Sequence, residues 1–303
     1  MEKIELRQSD GYVTKIEVSR TLMEEIKGSV LFLHGMAEHH ERYYGFAECL
    51  NDAGYDVFMY DHRGHGTDKK EEELGFFAEK DGADIVIADA VNALRYVKSN
   101  NRGKKTFVFA HSMGSIIARS VIQEECDFDG IILCGSNFMP PFACSVGKCL
   151  FSIIALFKGK KSRGVFADKF LFGSKAYKSV CKDTPFDWLT QDAEIVKEYI
   201  DDPYDGFICT NSFYHDLVDL TGRAATLSKI AKTRRDLPIW IVSGEKDPVG
   251  GFGNGVTQLC EAFKKLGFKK VDLKLYKDCR HELLNEFGKE DIMKEFVEFY
   301  NNN

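Results

Sequence analysis

A serine between two small residues is the sharpest chemical signal in the chain. Ser112 stands in Ala110-His111-Ser112-Met113-Gly114, where an apolar run (Thr106–Ala110) meets a helical pattern (Ile116–Glu124). A nucleophile on such a turn has its oxygen exposed above a sheet. The following amide is left free at a helix N-terminus. The usual spacing is Gly-x-Ser-x-Gly; Ala110 replaces the first glycine and adds one methyl. Alone, the pattern also fits a plain helix cap. A serine hydroxyl becomes a good nucleophile only when a base takes its proton, and that base needs a carboxylate to hold its tautomer.

The elements that must position these groups alternate in type. Residues 2–8 and 12–19 read as strands joined at Asp10-Gly11. Gly28–Leu33, Tyr55–Tyr60, Thr106–Ala110, Gly130–Cys134, Pro238–Val242 and Val271–Tyr276 read as strands, most of them near-continuously apolar. Tyr43–Ala53, Ile85–Val97, Ile116–Glu124 and Ile292–Tyr300 carry helical periodicity. This alternation predicts an α/β fold with a mostly parallel sheet covered on both faces. In such a topology the chain order is Ser, acid, His. Ser243-Gly244-Glu245-Lys246-Asp247-Pro248 supplies the acid after a strand, with Asp247 best placed and Glu245 second. His281, which follows the last strand, is the only His after residue 215. Three such groups in order, each just past a strand's C-terminal end, occupy the edge where open α/β sheets bind ligands.

From Asn137 to Asp236 the rhythm breaks. The stretch is helix-like, opens near Pro140-Pro141 and is rich in Phe and Lys. It reads as a helical cap (137–236) inserted between two parts of one core (1–136 and 237–303).

Several segments resemble monoacylglycerol lipases and lysophospholipase-like α/β-hydrolases. They are His34-Gly35-Met36-Ala37-Glu38-His39 with Arg42-Tyr43, Asp61-His62-Arg63-Gly64-His65-Gly66, His111-Ser112-Met113-Gly114, Gly244-Glu245-Lys246-Asp247-Pro248 and His281-Glu282-Leu283-Leu284-Asn285-Glu286. The resemblance covers roughly 28–136 and 237–300 and implies the α/β-hydrolase fold. It departs at Ala110, Ser115 and Thr67, none of them a catalytic group. The cap matches no motif.

A tetrahedral intermediate needs fixed N–H donors for its oxyanion. Met113, directly after the nucleophile, offers one. The second should come from the loop after Gly28–Leu33, and the resemblance places it at Met36. His34, His39 and His40 near Glu38 invite a metal reading. Their spacing fits neither H-E-x-x-H nor H-x-x-E-H, so no metal ligands are expected. His39, Arg42, His62, Arg63 and His65 are expected to build loop structure. His111 should pack behind the turn, and His215 should be structural. Cys149–Phe157 (CLFSIIALF) reads as a roof for an apolar pocket, with Phe151 and Leu156 as candidate acyl contacts and lysines on the wet side that allow transient membrane-surface contact.

Composition narrows the class. The chain has 303 residues, 41 Lys+Arg against 47 Asp+Glu, a net charge of −6, 44% hydrophobic and 29% charged residues. These values exclude disordered and fibrous chains and argue against nucleic-acid binding. Nine cysteines without a C-x-x-C pair read as free thiols, mostly buried, in a reducing compartment. With a charged N-terminus and no uncharged apolar run near 20 residues, a soluble cytoplasmic protein is expected. The expected activity is hydrolysis of carboxylic esters with an apolar acyl part. Ser112 is the nucleophile, His281 the base and Asp247 its orienting acid, and no cofactor is needed. The rivals are a peptidase, anchored on Asp183, Asp187, Asp192 or Glu194, and a binding protein with little turnover.

Overall fold

The runs GSVLFL, YDVFMY and GIILC are buried along their whole length, as strands covered on both faces must be. They belong to a computed structural model that describes residues 1–125 and 127–303. The chain begins with β1 (Glu2–Arg7), β2 (Val13–Ser19), β3 (Gly28–Leu33), α1 (Tyr44–Asp52) and β4 (Tyr55–Tyr60). It continues through α2 (Gly82–Ser99), β5 (Lys105–His111), α3 (Met113–Glu124) and β6 (Gly130–Cys134). Six helices then precede the next strand: α4 (Pro141–Lys158), α5 (Val165–Phe172), α6 (Lys175–Val180), α7 (Ala193–Asp201), α8 (Asn211–Ala224) and α9 (Leu227–Ile230). The chain closes with β7 (Ile239–Gly244), α10 (Asn254–Lys265), β8 (Val271–Tyr276) and α11 (Lys289–Asn302).

The eight strands form one sheet in the order β1-β2-β4-β3-β5-β6-β7-β8. The hairpin β1–β2 and the pair β2–β4 are antiparallel; every later pair is parallel. Register aligns the C-terminal ends: Leu33 lies opposite Ala110, His111 opposite Cys134, and Gly244 opposite Tyr276. The loops that follow β3, β5, β7 and β8 therefore emerge at one edge. One apolar core lies between the sheet and α1 and α11, with Phe46, Leu50, Phe109 and Phe296 at its centre. A second lies under α2, α3 and α10, and α8 joins it through Phe213 and Leu220.

Two sequence readings need correction. Helix α10 is missing from the helical segments read from the sequence. Its buried face is nonetheless Val256, Leu259, Cys260 and Phe263, a helical stripe. The apolar cap segment is also longer than the uncharged run suggested. By length and composition α4 is able to cross a membrane, and it is mostly exposed. Lys148, inside it, pairs with Asp219 on α8 at 2.7 Å.

Candidate active site

The turn after β5 is strained. Ser112 has φ +50° and ψ −118°, a conformation in which a non-glycine residue costs about 1–3 kcal/mol. The surroundings enforce it. Ser112 N–H donates to Cys134 O at 2.9 Å, and Ser115 N–H returns to Ser112 O at 2.9 Å. Gly114 is required at its position, since a Cβ there would collide with the Leu33 carbonyl. Ala110 is fully buried and paired across the sheet with Leu33 and Leu133, so its methyl is accommodated. Ser112 is half-exposed among buried neighbours.

At the same sheet edge, Asp247 and His281 are both buried and joined through His281 Nδ1 and Asp247 Oδ2 at 3.0 Å. Asp247 also accepts Val249 N–H at 2.8 Å and the Ser243 hydroxyl at 3.0 Å. Burial alone would raise the Asp247 pKa. The facing His281 and these hydrogen bonds outweigh it and hold the carboxylate ionised. For His281, burial disfavours the charged ring, but the Asp247 charge and hydrogen bond more than compensate, so its pKa is raised. The other ring nitrogen, Nε2, has no hydrogen-bond partner among the described residues. The His281 ring lies between His111 (centroids 4.6 Å apart) and Trp188 (5.0 Å). His111, the residue before Ser112, is held neutral by burial, its pKa lowered to about 3. Glu245 is exposed; its amide bonds to Tyr276 O and its carboxylate makes no hydrogen bond among the described residues.

Two amides face the same edge. Neither Met113 N–H nor Met36 N–H donates to a protein group among the described residues. The Met36 loop is fixed from both sides. Gly35 N–H donates to Glu38 Oε1, and Ala37 adopts φ +52°. Ala37 O accepts Gly206 N–H and the Tyr199 hydroxyl, each at 2.9 Å. Both donors come from the segment between β6 and β7.

Behind the loop lies a buried ionic cluster. Arg42 makes a bidentate pair with Glu282 (2.7 Å twice), reaches Glu38 at 2.8 Å and approaches Asp205 at 3.3 Å. Burial raises the Glu38 pKa, whereas Arg42 draws Glu282 below the usual carboxylate range. Burial pushes Asp205 up to about 8. Glu282 follows His281 in sequence, so the guanidinium locks the His281 loop to the Met36 loop. His34, His62 and His65 form a neutral stack, with His34 and His62 centroids 4.4 Å apart, that supports the same loops. Arg63 binds Asp89 and Asp10, and His215 pairs with Asp216.

The cap contacts read from the sequence need revision. Phe151 is only 1% exposed and packs near Phe170 and Tyr214 inside the helical layer. Leu156 is 78% exposed and points outward. Helical periodicity alone does not tell which face of α4 meets the rest of the cap. Trp188 was missed. It packs against His281 at a tilt of 47° and is itself packed by Phe172 (5.8 Å) and Tyr177 (5.4 Å). The only sequence signal was its rarity, since the chain has two Trp.

A sheet of this order, with its strained turn after β5, is the architecture of the α/β-hydrolases, and the chain is an enzyme of that class. The family model described as serine aminopeptidase, S33 (Hydrolase_4) matches residues 24–288, and the chain belongs to this family. A carboxyl esterase of Bacillus coagulans, solved with glycerol, superposes with a TM-score of 0.90 at 25% identity, covering 99% of this chain and 98% of that one. A monoacylglycerol lipase of Mycolicibacterium smegmatis is 25% identical over 86% of this chain and 83% of its own. A monoglyceride lipase homolog of Monkeypox virus is 34% identical over 101 residues; the match spans about a third of each chain, 33% and 34%.

Proposed function

We propose that the chain is a serine hydrolase that cleaves carboxylic esters with an apolar acyl group, monoacylglycerols and lysophospholipids among them, through an acyl-enzyme on Ser112. The observation that carries this reading is a serine on a strained turn at the sheet edge that also presents a histidine held by a buried carboxylate at Nδ1 and without a hydrogen-bond partner at Nε2 among the described residues. The esterase and lipase relatives support the same class. His281 Nε2 takes the Ser112 proton as Oγ attacks the carbonyl, and Asp247 stabilises the resulting imidazolium. The Met36 and Met113 amides receive the oxyanion. The imidazolium protonates the departing alcohol, and water then repeats the sequence on the acyl-enzyme.

Segment 137–236 acts as a cap in this reading, and Trp188, with Phe172 and Tyr177 packed on it, supplies apolar surface next to His281. The family description raises a peptidase reading, which needs an acidic anchor for a substrate amine. Asp187 is already engaged by the amides of Lys182, Asp183 and Thr184, and Asp192 caps α7. Asp183 and Glu194 are exposed. A panel of p-nitrophenyl esters and aminoacyl-p-nitroanilides tests the choice. Ester kcat/KM should rise with acyl length until the pocket is full, by at most about tenfold per two carbons, with anilides near background. Faster anilide turnover would establish the peptidase instead.

The outer face of the cap suits a lipid surface. Leu156 and Phe157 are 78% and 80% exposed, and Phe142, Phe166 and Phe170 continue the apolar patch on α4 and α5. Each large apolar side chain buried in lipid is worth about 1.5–3 kcal/mol. The double variant Leu156→Ser/Phe157→Ser should therefore lose at least about tenfold in binding to phosphatidylcholine vesicles carrying anionic lipid, as read by co-sedimentation. Turnover of a soluble butyrate ester should not change. Equal vesicle binding by variant and wild type would exclude the contact. The cysteines described are free thiols; Cys126, read with them as a free thiol, lies outside the described residues.

A further inference from the structure

We propose a structural divalent-cation site, of the kind that takes Zn²⁺, formed by His39 Nε2, Asp202 Oδ2 and Asp205 Oδ1, which braces the cap segment against the oxyanion loop. The three atoms lie within 4.8 Å of one another. His39 Nε2 is 3.2 Å from Asp202 Oδ2 and 3.7 Å from Asp205 Oδ1. Ligands at Zn–N and Zn–O distances of about 2.0–2.2 Å stand about 3.3–3.6 Å apart on a tetrahedron, so these separations straddle the edge such an ion requires. A nitrogen and two carboxylate oxygens form a donor set that zinc accepts, with a fourth position left for water.

The site is built rather than incidental. Each carboxylate uses one oxygen to hold its place and directs the other inward. Asp202 Oδ1 accepts Tyr204 N–H at 2.8 Å, leaving Oδ2 for the site. Asp205 Oδ2 meets Arg42, and Oδ1, on a side chain only 3% exposed, has no hydrogen-bond partner among the described residues. Such an acceptor, buried and unpaired, is costly unless a cation or donor fills the space before it. Carboxyl groups also outnumber cations here: Glu38, Glu282 and Asp205 surround the single guanidinium of Arg42. Asp202 is partly exposed and offers an entry path. The local spacing considered in the sequence excluded only ligands sharing one helix with His39; Asp202 is 163 residues away.

A bound cation would tie the chain at Asp202–Asp205 to the residue two beyond Ala37, next to the Gly206–Ala37 hydrogen bond that fixes the Met36 amide. His39 Nδ1 has no acceptor of its own among the described residues. Metal-ligating imidazoles without that outer hydrogen bond bind about 10–100-fold more weakly, so moderate affinity is expected. The test is calorimetric titration of EDTA-dialysed full-length protein with Zn²⁺, together with thermal melts at rising Zn²⁺. Wild type should show one saturable site and a Tm that climbs with Zn²⁺. Asp202→Asn keeps an acceptor for Tyr204 and should fold with an unchanged metal-free Tm, yet bind at least tenfold more weakly. His39→Gln should abolish the site, while His215→Gln, at a His–Asp pair away from it, should retain it. Absence of saturable binding in wild type, or binding by Asp202→Asn and His39→Gln as tight as that of wild type, would overturn the proposal.

Discussion

Ser112→Ala should abolish ester turnover and leave the fold intact. The side chain makes no hydrogen bond that holds the turn: its backbone N–H and C=O do that, through Cys134 O and the Ser115 and Ile116 amides. Alanine also replaces a residue at positive φ without adding bulk, so the Tm should stay within a few degrees of wild type. In serine proteases, removing the nucleophile costs about 2 × 10⁶-fold in kcat, and a residue of about 10³–10⁴-fold over water survives from the oxyanion hole and binding. A loss of that order is expected here, read with a p-nitrophenyl ester and circular dichroism on the same sample. Near-wild-type kcat in a folded Ser112→Ala protein would remove Ser112 from the mechanism.

Asp247→Asn should lower kcat by about 10⁴-fold, following the effect of the same change in serine proteases. The amide turns an N–H toward Nδ1 or forces the ring into the tautomer that leaves Nε2 protonated. Glu245→Gln should cost little, because Glu245 is exposed and does not touch His281. The pH profile separates this positioning role from loss of structure. His281 must be neutral to accept the serine proton, so activity falls as pH drops through its pKa. Burial lowers that pKa, but the Asp247 charge and hydrogen bond outweigh it, placing the wild-type acid limb above the ordinary value of 6.5. Asp247→Asn removes the raising influence and leaves the burial. Its acid limb should move to lower pH. A limb that stays in place would mean that another carboxylate governs His281.

The strands were legible because a parallel sheet buried on both faces writes near-continuous apolar runs, as in Val30–Leu33 and Ile131–Cys134. Ser112, Asp247 and His281 could be picked out because each follows such a run at the same sheet edge. The geometry that joins Asp247 to His281 depends on a register between β7 and β8 that no local pattern states. The cap was readable only as a helical interruption. Its faces were not, since α4 is apolar nearly all round, and Phe151 went inside while Leu156 went out. Trp188, Tyr199 and Gly206 reach the site across long sequence separations, through ring packing against His281 and hydrogen bonds to Ala37. Helix α10 shows the opposite failure: a legible stripe is missing from the segments read.

Covalent capture of the nucleophile tests the central assignment most directly. Wild type and Ser112→Ala would be treated with an alkyl fluorophosphonate, and the site of the adduct mapped by peptide mass spectrometry. One phosphonyl group on Ser112 in wild type, and none anywhere in Ser112→Ala, is the expected result. Labelling at another residue, or labelling that persists in Ser112→Ala, would contradict a serine hydrolase built on this turn.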